Sequence, residues 1–329
     1  MPMNPASEPT PPPFEWGVQL LRPVSSDQAR ALAEQGLDRV GVHLPWRWWE
    51  QARGALDPTT TDWFLGPLRE HRVPLLGVLG PALPHLLPDH ARDVDDPGWI
   101  DRFARSCSDC VALFPDIDAF RVEGELNTAA LERAITRRRR GRSWGRPAFA
   151  AELLRAATGA VRAARPSARI QITVHASVPG WRRHLNHWLE AGVAFDRLGL
   201  VLQPSLLLPD PQMARRVGEA VDQARRVVGD DVAVEIARIG YPTTGRRFSP
   251  RAQREFLVIA AEEAQAAGAA GLSWWALRDQ AHHDPTLGYW TPSQERRYGL
   301  LYFDGTPKPA ADELRVLATG DRFGTGRTA

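Results

Sequence analysis

Short apolar runs alternate along this chain with longer stretches in which apolar residues recur at helical spacing. Repeated strand–helix units around a parallel sheet produce that pattern. The apolar runs predict strands at 14–20, 39–44, 74–79, 119–125, 168–175, 197–202, 231–236 and 271–276. The intervening stretches predict helices at 25–35, 62–71, 97–113, 147–164, 181–191, 213–228 and 249–267. Their ends carry the expected punctuation. Ser25 and Ser249-Pro250 supply helix starts, because a serine oxygen accepts an orphan N–H and proline lacks one at the first turn. Gly36, Gly192 and Gly268 stand where a left-handed stop is wanted. Eight strands are the number that closes a ring, so the expected fold is an α/β chain of the (β/α)8 TIM-barrel class.

The strands turn polar near their C-terminal ends, at His43, Glu125, His175, Gln203, Arg238 and Arg278. A parallel barrel builds its site from that face, so the gradient marks one mouth without naming a reaction.

Composition narrows the picture modestly. The 329 residues, 43% hydrophobic, suffice for one large core, expected at 14–318 between a disordered Pro-rich N-terminal tail at 1–13 and a flexible C-terminal tail at 319–329. A net charge of +2 gives no footprint for nucleic acid, and no window approaches the roughly 20 apolar residues that cross a bilayer. The N-terminus lacks the basic start and apolar stretch of a secretion signal, so a cytoplasmic protein is expected. Lys308 is the only lysine among 41 basic residues. Cys107 and Cys110 have Cys-x-x-Cys spacing, but no second pair completes a metal site, and their flanks read as an amphipathic helix that buries both thiols. No cofactor and no metal are expected.

Two segments carry candidate chemistry: Val122-Glu123-Gly124-Glu125-Leu126-Asn127 and Gly271-Leu272-Ser273-Trp274-Trp275-Ala276-Leu277-Arg278-Asp279. A carboxyl group can exchange a proton at a glycosidic oxygen, and a flat indole covers the apolar face of a sugar ring. These segments, with the closing run from Tyr298 to Ala310 that contains Gly299-Leu300, Asp304-Gly305 and Lys308-Pro309-Ala310, resemble clan A glycoside hydrolases. So does Val42-His43-Leu44-Pro45-Trp46-Arg47-Trp48-Trp49-Glu50 followed by Gly54 and Asp57, which is similar to the second strand of xylosidase-like members. The resemblance spans roughly 14–314.

It implies a general acid/base glutamate after strand four, which matches Glu125. The family's preceding asparagine is replaced by Gly124, which removes an amide that binds the sugar's 2-hydroxyl. Strand seven is expected to carry the nucleophile before Gly240-Tyr241-Pro242, and this chain has Arg238 there. The nearest carboxylate is Glu235, three residues earlier. Strand side chains alternate faces, so Glu235 and Arg238 oppose each other unless a bulge or the strand end intervenes. An outward Glu235, however, would press a charge between strand and helices.

Two functional readings stand. In the first, Glu125 is the acid/base and Glu235 a displaced nucleophile or second carboxylate of an enzyme acting on a small glycoside or sugar-like metabolite. In the second, the chain is a non-hydrolytic pseudo-glycosidase, a ligand-binding barrel or a biosynthetic enzyme reusing the mouth for proton transfer, with Glu123, Glu125 and Arg238 forming an ion-pair network. The expected substrate contacts are Glu123, Arg238, Trp275, His175, Gln203, His43 and Trp46. Against these, histidines at strand ends commonly belong to structure, and with 12 tryptophans many must be core. The basic cluster Arg137 to Arg140, with Arg142 and Arg146, reads either as an anion-recognition loop or as a solvated one. His282, His283 and Asp284 carry the same two readings.

Overall fold

A computed structural model describes residues 13–80, 86–122, 124–128, 143–203, 210–244, 248–280 and 295–320. Glu123, the arginines at 137–142, and the 282–284 cluster lie outside these, as do most residues of both tails. Eight parallel strands form a closed ring: β1 (Glu15–Leu20), β2 (Arg39–Leu44), β3 (Leu75–Leu79), β4 (Ala119–Val122), β5 (Arg169–His175), β6 (Arg197–Leu202), β7 (Ala233–Ile239) and β8 (Gly271–Trp274). Each strand pairs with its sequence neighbours, and β8 closes on β1. The helices of the outer layer are α1 (Ser26–Glu34), α2 (Asp62–Glu70), α3 (Trp99–Leu113), α4 (Pro147–Ala164), α5 (Trp181–Glu190), α6 (Arg216–Val228), α7 (Pro250–Ala266) and α8 (Pro309–Thr319). The TIM-barrel class expected from hydrophobic periodicity is therefore the observed one.

Local chemistry accounts for the element ends. Ser25 and Gln28 form a reciprocal capping box at α1, and the Ser249 oxygen accepts the Ala252 N–H at α7. Gly36, Gly192 and Gly268 all have φ between 69° and 77°, the left-handed stops that their positions imply. Cys107 and Cys110 are buried thiols on α3.

Four features depart from the strand-and-helix reading. Helix α8 was not among the expected helices, although Pro309 at its first turn is a start signal. After β2 the chain forms a short helix, Trp46–Trp49, and a small hairpin of Glu50–Ala52 with Ala55–Leu56. β4 is described to Val122, and Glu125, where the strand was expected to end, has a left-handed backbone with φ 57°. β7 runs on to Ile239, past the expected 236, through a shift of register against β6: Leu200 pairs with Ile236, but Val201 pairs with Arg238.

That shift inserts one extra residue and changes which side chains face the axis. Gly199 shows how tight the interior is there, since a Cβ at that position would lie 2.5 Å from the Ala237 Cβ.

The closing run from 298 to 310 locks the ring from outside. Lys308, fully buried, donates to Asp279 at 2.7 Å and to the Thr243 hydroxyl at 2.9 Å, while Asp279 also accepts the Gly299 N–H at 2.9 Å. A compact ammonium with three donors suits this pocket, which gives a physical reason for the one lysine in an arginine-rich chain.

Candidate functional site

The bulge settles the conflict between Glu235 and Arg238. Both face the barrel interior, at different heights. Glu235 lies in the basal layer, 1% exposed. Its oxygens accept from Arg39 (Nη1–Oε1 3.0 Å, Nη2–Oε2 2.9 Å), from Arg197 (Nη1–Oε2 2.8 Å) and from the Gln171 amide. Glu15, at the start of β1, takes the other faces of Arg39 and Arg197. Burial pushes the Glu235 carboxyl up, but Arg39 and Arg197, with Arg121 adding, outweigh it and hold the group below its ordinary range.

Arg121 connects this base to the mouth. Its Nε donates to the Gln171 oxygen and its Nη2 to the Ala237 carbonyl at 3.3 Å. Burial pushes its guanidinium down to about 10, so it remains a cation at neutral pH. A charged residue inside the otherwise apolar Ala119–Val122 strand was the available sequence signal for this role.

At the C-terminal mouth, Arg238 donates to the Glu125 carboxylate at 2.8 Å, and its Cζ lies 3.7 Å from the centroid of the Trp275 ring. The guanidinium thus occupies the face of the indole that a flat ligand would otherwise cover. The two partners remain partly open to solvent, with side-chain exposures of 12% for Arg238 and 23% for Glu125. His43, at the end of β2, meets Trp275 edge-on with ring centroids 6.2 Å apart. Burial, reinforced by Arg121 and Arg238, lowers its pKa to about 3, so the ring is neutral.

His175 ends β5, and its pKa is lowered chiefly by burial, with Arg238 adding and Glu125 and Gln203 opposing. Gln203 follows β6 and is half-buried. For Glu125 itself, burial raises the carboxyl pKa, while Arg238 above all, then His175 and Arg121, bring it below the ordinary value.

The left-handed turn at Glu125 is held by three groups. Its N–H donates to Thr173 Oγ1 at 3.2 Å, and its carbonyl accepts both the N–H and the hydroxyl of Thr128 at 2.8 Å. Two residues on, the buried Asn127 amide exchanges a pair of hydrogen bonds with the His175 backbone, at 2.9 and 3.1 Å, and ties the turn after β4 to the end of β5. Thr173 and Asn127 therefore position the acid. Sequence reading gave neither a role, though Asn127 closes the segment singled out for its chemistry.

The structure brings Glu125, Arg238, Trp275, His43, His175 and Gln203 together. It places two expected residues elsewhere. Glu235 is sequestered in the base. Trp46 is buried against Phe103 of α3 and His90, with its N–H donating to Glu50, in the layer outside the ring rather than at the mouth. Among the described residues no cluster of side chains has the makings of a metal site, and no helix is long and apolar enough to cross a membrane.

No protein-family model and no curated protein matches the sequence. Solved structures match over nearly the whole chain. GH5_18 from Streptomyces cattleya, solved in complex with GlcNAc, has 17% identity and a TM-score of 0.73, covering 97% of this chain and 82% of that one. The exo-β-1,4-mannosidase Op5Man5 from Opitutaceae bacterium strain TAV5 has 19% identity and a TM-score of 0.70, covering 94% of this chain. A family 39 glycoside hydrolase from Bacteroides cellulosilyticus WH2 has 17% identity, a TM-score of 0.68 and the same 94% coverage. The chain spans 59% of the mannosidase and 64% of the family 39 enzyme. At these identities the likeness is one of fold, the closed eight-stranded parallel barrel.

Proposed function

We propose that this chain is a glycosidase-like enzyme that acts at the barrel mouth on a small glycoside or sugar-like metabolite, with Glu125 as its proton-transfer residue. The observation that carries the proposal is the Arg238–Glu125 ion pair above Trp275, at the end of β4 where the resemblance puts an acid/base. Arg238 determines how Glu125 enters the reaction. A carboxylate held ionised is a base first, so its opening step is removal of a proton from water or a hydroxyl group. In the hydrolytic form that water attacks the anomeric carbon as the glycosidic bond breaks, and the departing oxygen takes up the proton. The solved structures of similar fold, glycoside hydrolases by name, favour this form.

A second reading, non-hydrolytic binding or proton transfer, has its own support. Arg238 stands where the family's nucleophile would be and covers the Trp275 ring, while both Glu235 oxygens are committed to the base. In this reading Arg238 receives an anionic group of the ligand in place of Glu125. A cytoplasmic location and a mouth that takes a small molecule, not nucleic acid, complete the proposal.

Release of sugar from a panel of 4-nitrophenyl glycosides and short disaccharides by the protein and by Glu125→Gln tests the first reading. Turnover lost in the variant supports it, and unchanged rates remove Glu125 from the mechanism. Incubation with an activated 2-fluoro-glycoside followed by intact-mass measurement tests the place given to Glu235. A covalent adduct on Glu235 would overturn the assignment of that residue to the base.

A further inference from the structure

Beside the mouth, on the same face, the loops after β2 and β3 enclose a groove of about 400 Å³ lined by Arg47, Trp48, Gln51, Trp63, Asp89 and Arg92 among others. The volume is in the lower part of the roughly 300–1,000 Å³ range of small-molecule sites. Trp63, the second residue of α2, is 54% exposed, the most open large apolar side chain among the described residues. It is supported from behind rather than buried: Trp48 meets it edge-on with centroids 5.2 Å apart, and Phe64 does so at 5.5 Å. Trp48 in turn packs against the separate apolar cluster of Leu21, Trp275, Ala276 and Tyr298. One half-buried indole therefore joins the mouth tryptophan to the exposed one. Polar groups able to meet hydroxyls stand around it, including Gln51 and the Arg92–Asp89 pair at 2.7 Å.

An open indole ringed by amide, carboxylate and guanidinium groups fits a ligand with one apolar face and a polar rim, which describes a pyranose ring. We propose that this groove is a distal saccharide subsite in which a pyranose unit of an oligosaccharide stacks on Trp63, its hydroxyls meeting Gln51, Asp89 and Arg92. The ligand then spans at least the mouth and the groove, with Trp48 as the wall shared between them. The inference deepens the reading of the mouth as a sugar site and rests on it only for that end of the ligand.

The test is calorimetric binding of xylotetraose, mannotetraose, cellotetraose and chitotetraose, and of their monosaccharides, to the protein, Trp63→Ala, Arg92→Ala and Glu125→Gln. Because Trp63 is largely exposed, its replacement is expected to leave the thermal midpoint unchanged. The expected result is one tetraose bound about tenfold more weakly by Trp63→Ala, with the matching monosaccharide unaffected, as loss of one aromatic contact implies. Arg92→Ala weakens the same tetraose, again with the matching monosaccharide unaffected. Equal tetraose affinities in Trp63→Ala and the unaltered protein overturn the proposal, as does failure of all four tetraoses to bind at about 10 mM. Self-association lost on Trp63→Ala, without any effect on sugars, would make the groove a protein contact and also overturn it. Turnover surviving in Glu125→Gln would count against the acid/base reading alone and leave the groove standing.

Discussion

Replacing Glu235 with glutamine separates a basal ion-pair network from a second catalytic carboxylate. In the structure Glu235 compensates Arg39 and Arg197 in the floor of the ring, both of them otherwise shared with Glu15 alone. Glutamine keeps the shape and one acceptor oxygen but removes the charge, leaving the buried Arg39 and the half-buried Arg197 to Glu15, which also lies 3.8 Å from Arg169. Removing one partner from a buried ion pair costs roughly 3–5 kcal/mol, and the retained acceptor puts this case near the lower end, about 3 kcal/mol. With an unfolding entropy of about 2.1 cal/mol/K per residue over the 265 described residues, that becomes a fall in Tm of about 5 °C. Glu125→Gln breaks a pair more open to solvent than the basal one, and should lower Tm by less than Glu235→Gln does. Differential scanning calorimetry of the three proteins at neutral pH measures both. If Glu235→Gln keeps the original Tm while Glu125→Gln loses several degrees, the assignment of the two glutamates to base and mouth is wrong.

Three further outcomes follow from named contacts. Because His43 has a folded-state pKa of about 3, the unfolded chain binds a proton that the folded chain refuses between that value and about 6.5. Stability therefore falls on acidification through this window, by about 2 kcal/mol from this group between pH 7 and pH 5, and urea midpoints should show that increment lost in His43→Asn. Lys308→Met should cost roughly 3–5 kcal/mol by stranding the Asp279 carboxylate, and the double variant Lys308→Met/Asp279→Leu should recover most of it in the same urea assay. Gly199→Ala drives a methyl into Ala237 and Thr173, and should cost about 1–3 kcal/mol by urea denaturation, with its chemical-shift changes centred on the bulge below Arg238.

The ring was legible because each buried strand is a short apolar run bounded by helix caps and glycine stops, and those signals are local. Glu125, Trp275 and the polar strand ends were legible for the same reason, since the fold itself sends C-terminal strand ends to one mouth. What depends on height within the barrel was not. Alternation tells which face a side chain takes only while register holds, and the extra residue opposite Leu200 and Val201 turns both Glu235 and Arg238 inward at different levels. Whether Glu235 meets a ligand or the basal arginines depends on partners from β2, β5 and β6, up to 196 positions apart in the case of Arg39, which no local pattern encodes. Trp46, Trp48 and Trp63 illustrate the same limit. Their spacing is equally compatible with core and surface, and a four-residue helix after β2 decides that Trp46 goes under the loop while Trp48 reaches the groove.

Arg238 holds Glu125 at the mouth as a carboxylate. Carboxyl ¹³C NMR titration of Glu125, assigned with Glu125→Gln, measures this directly in the protein and in Arg238→Ala. The expected pKa lies below the ordinary glutamate value of about 4.3 in the protein and rises once the guanidinium is removed and burial is less opposed. A value at or above the ordinary one, or a value that Arg238→Ala leaves unmoved, would contradict it.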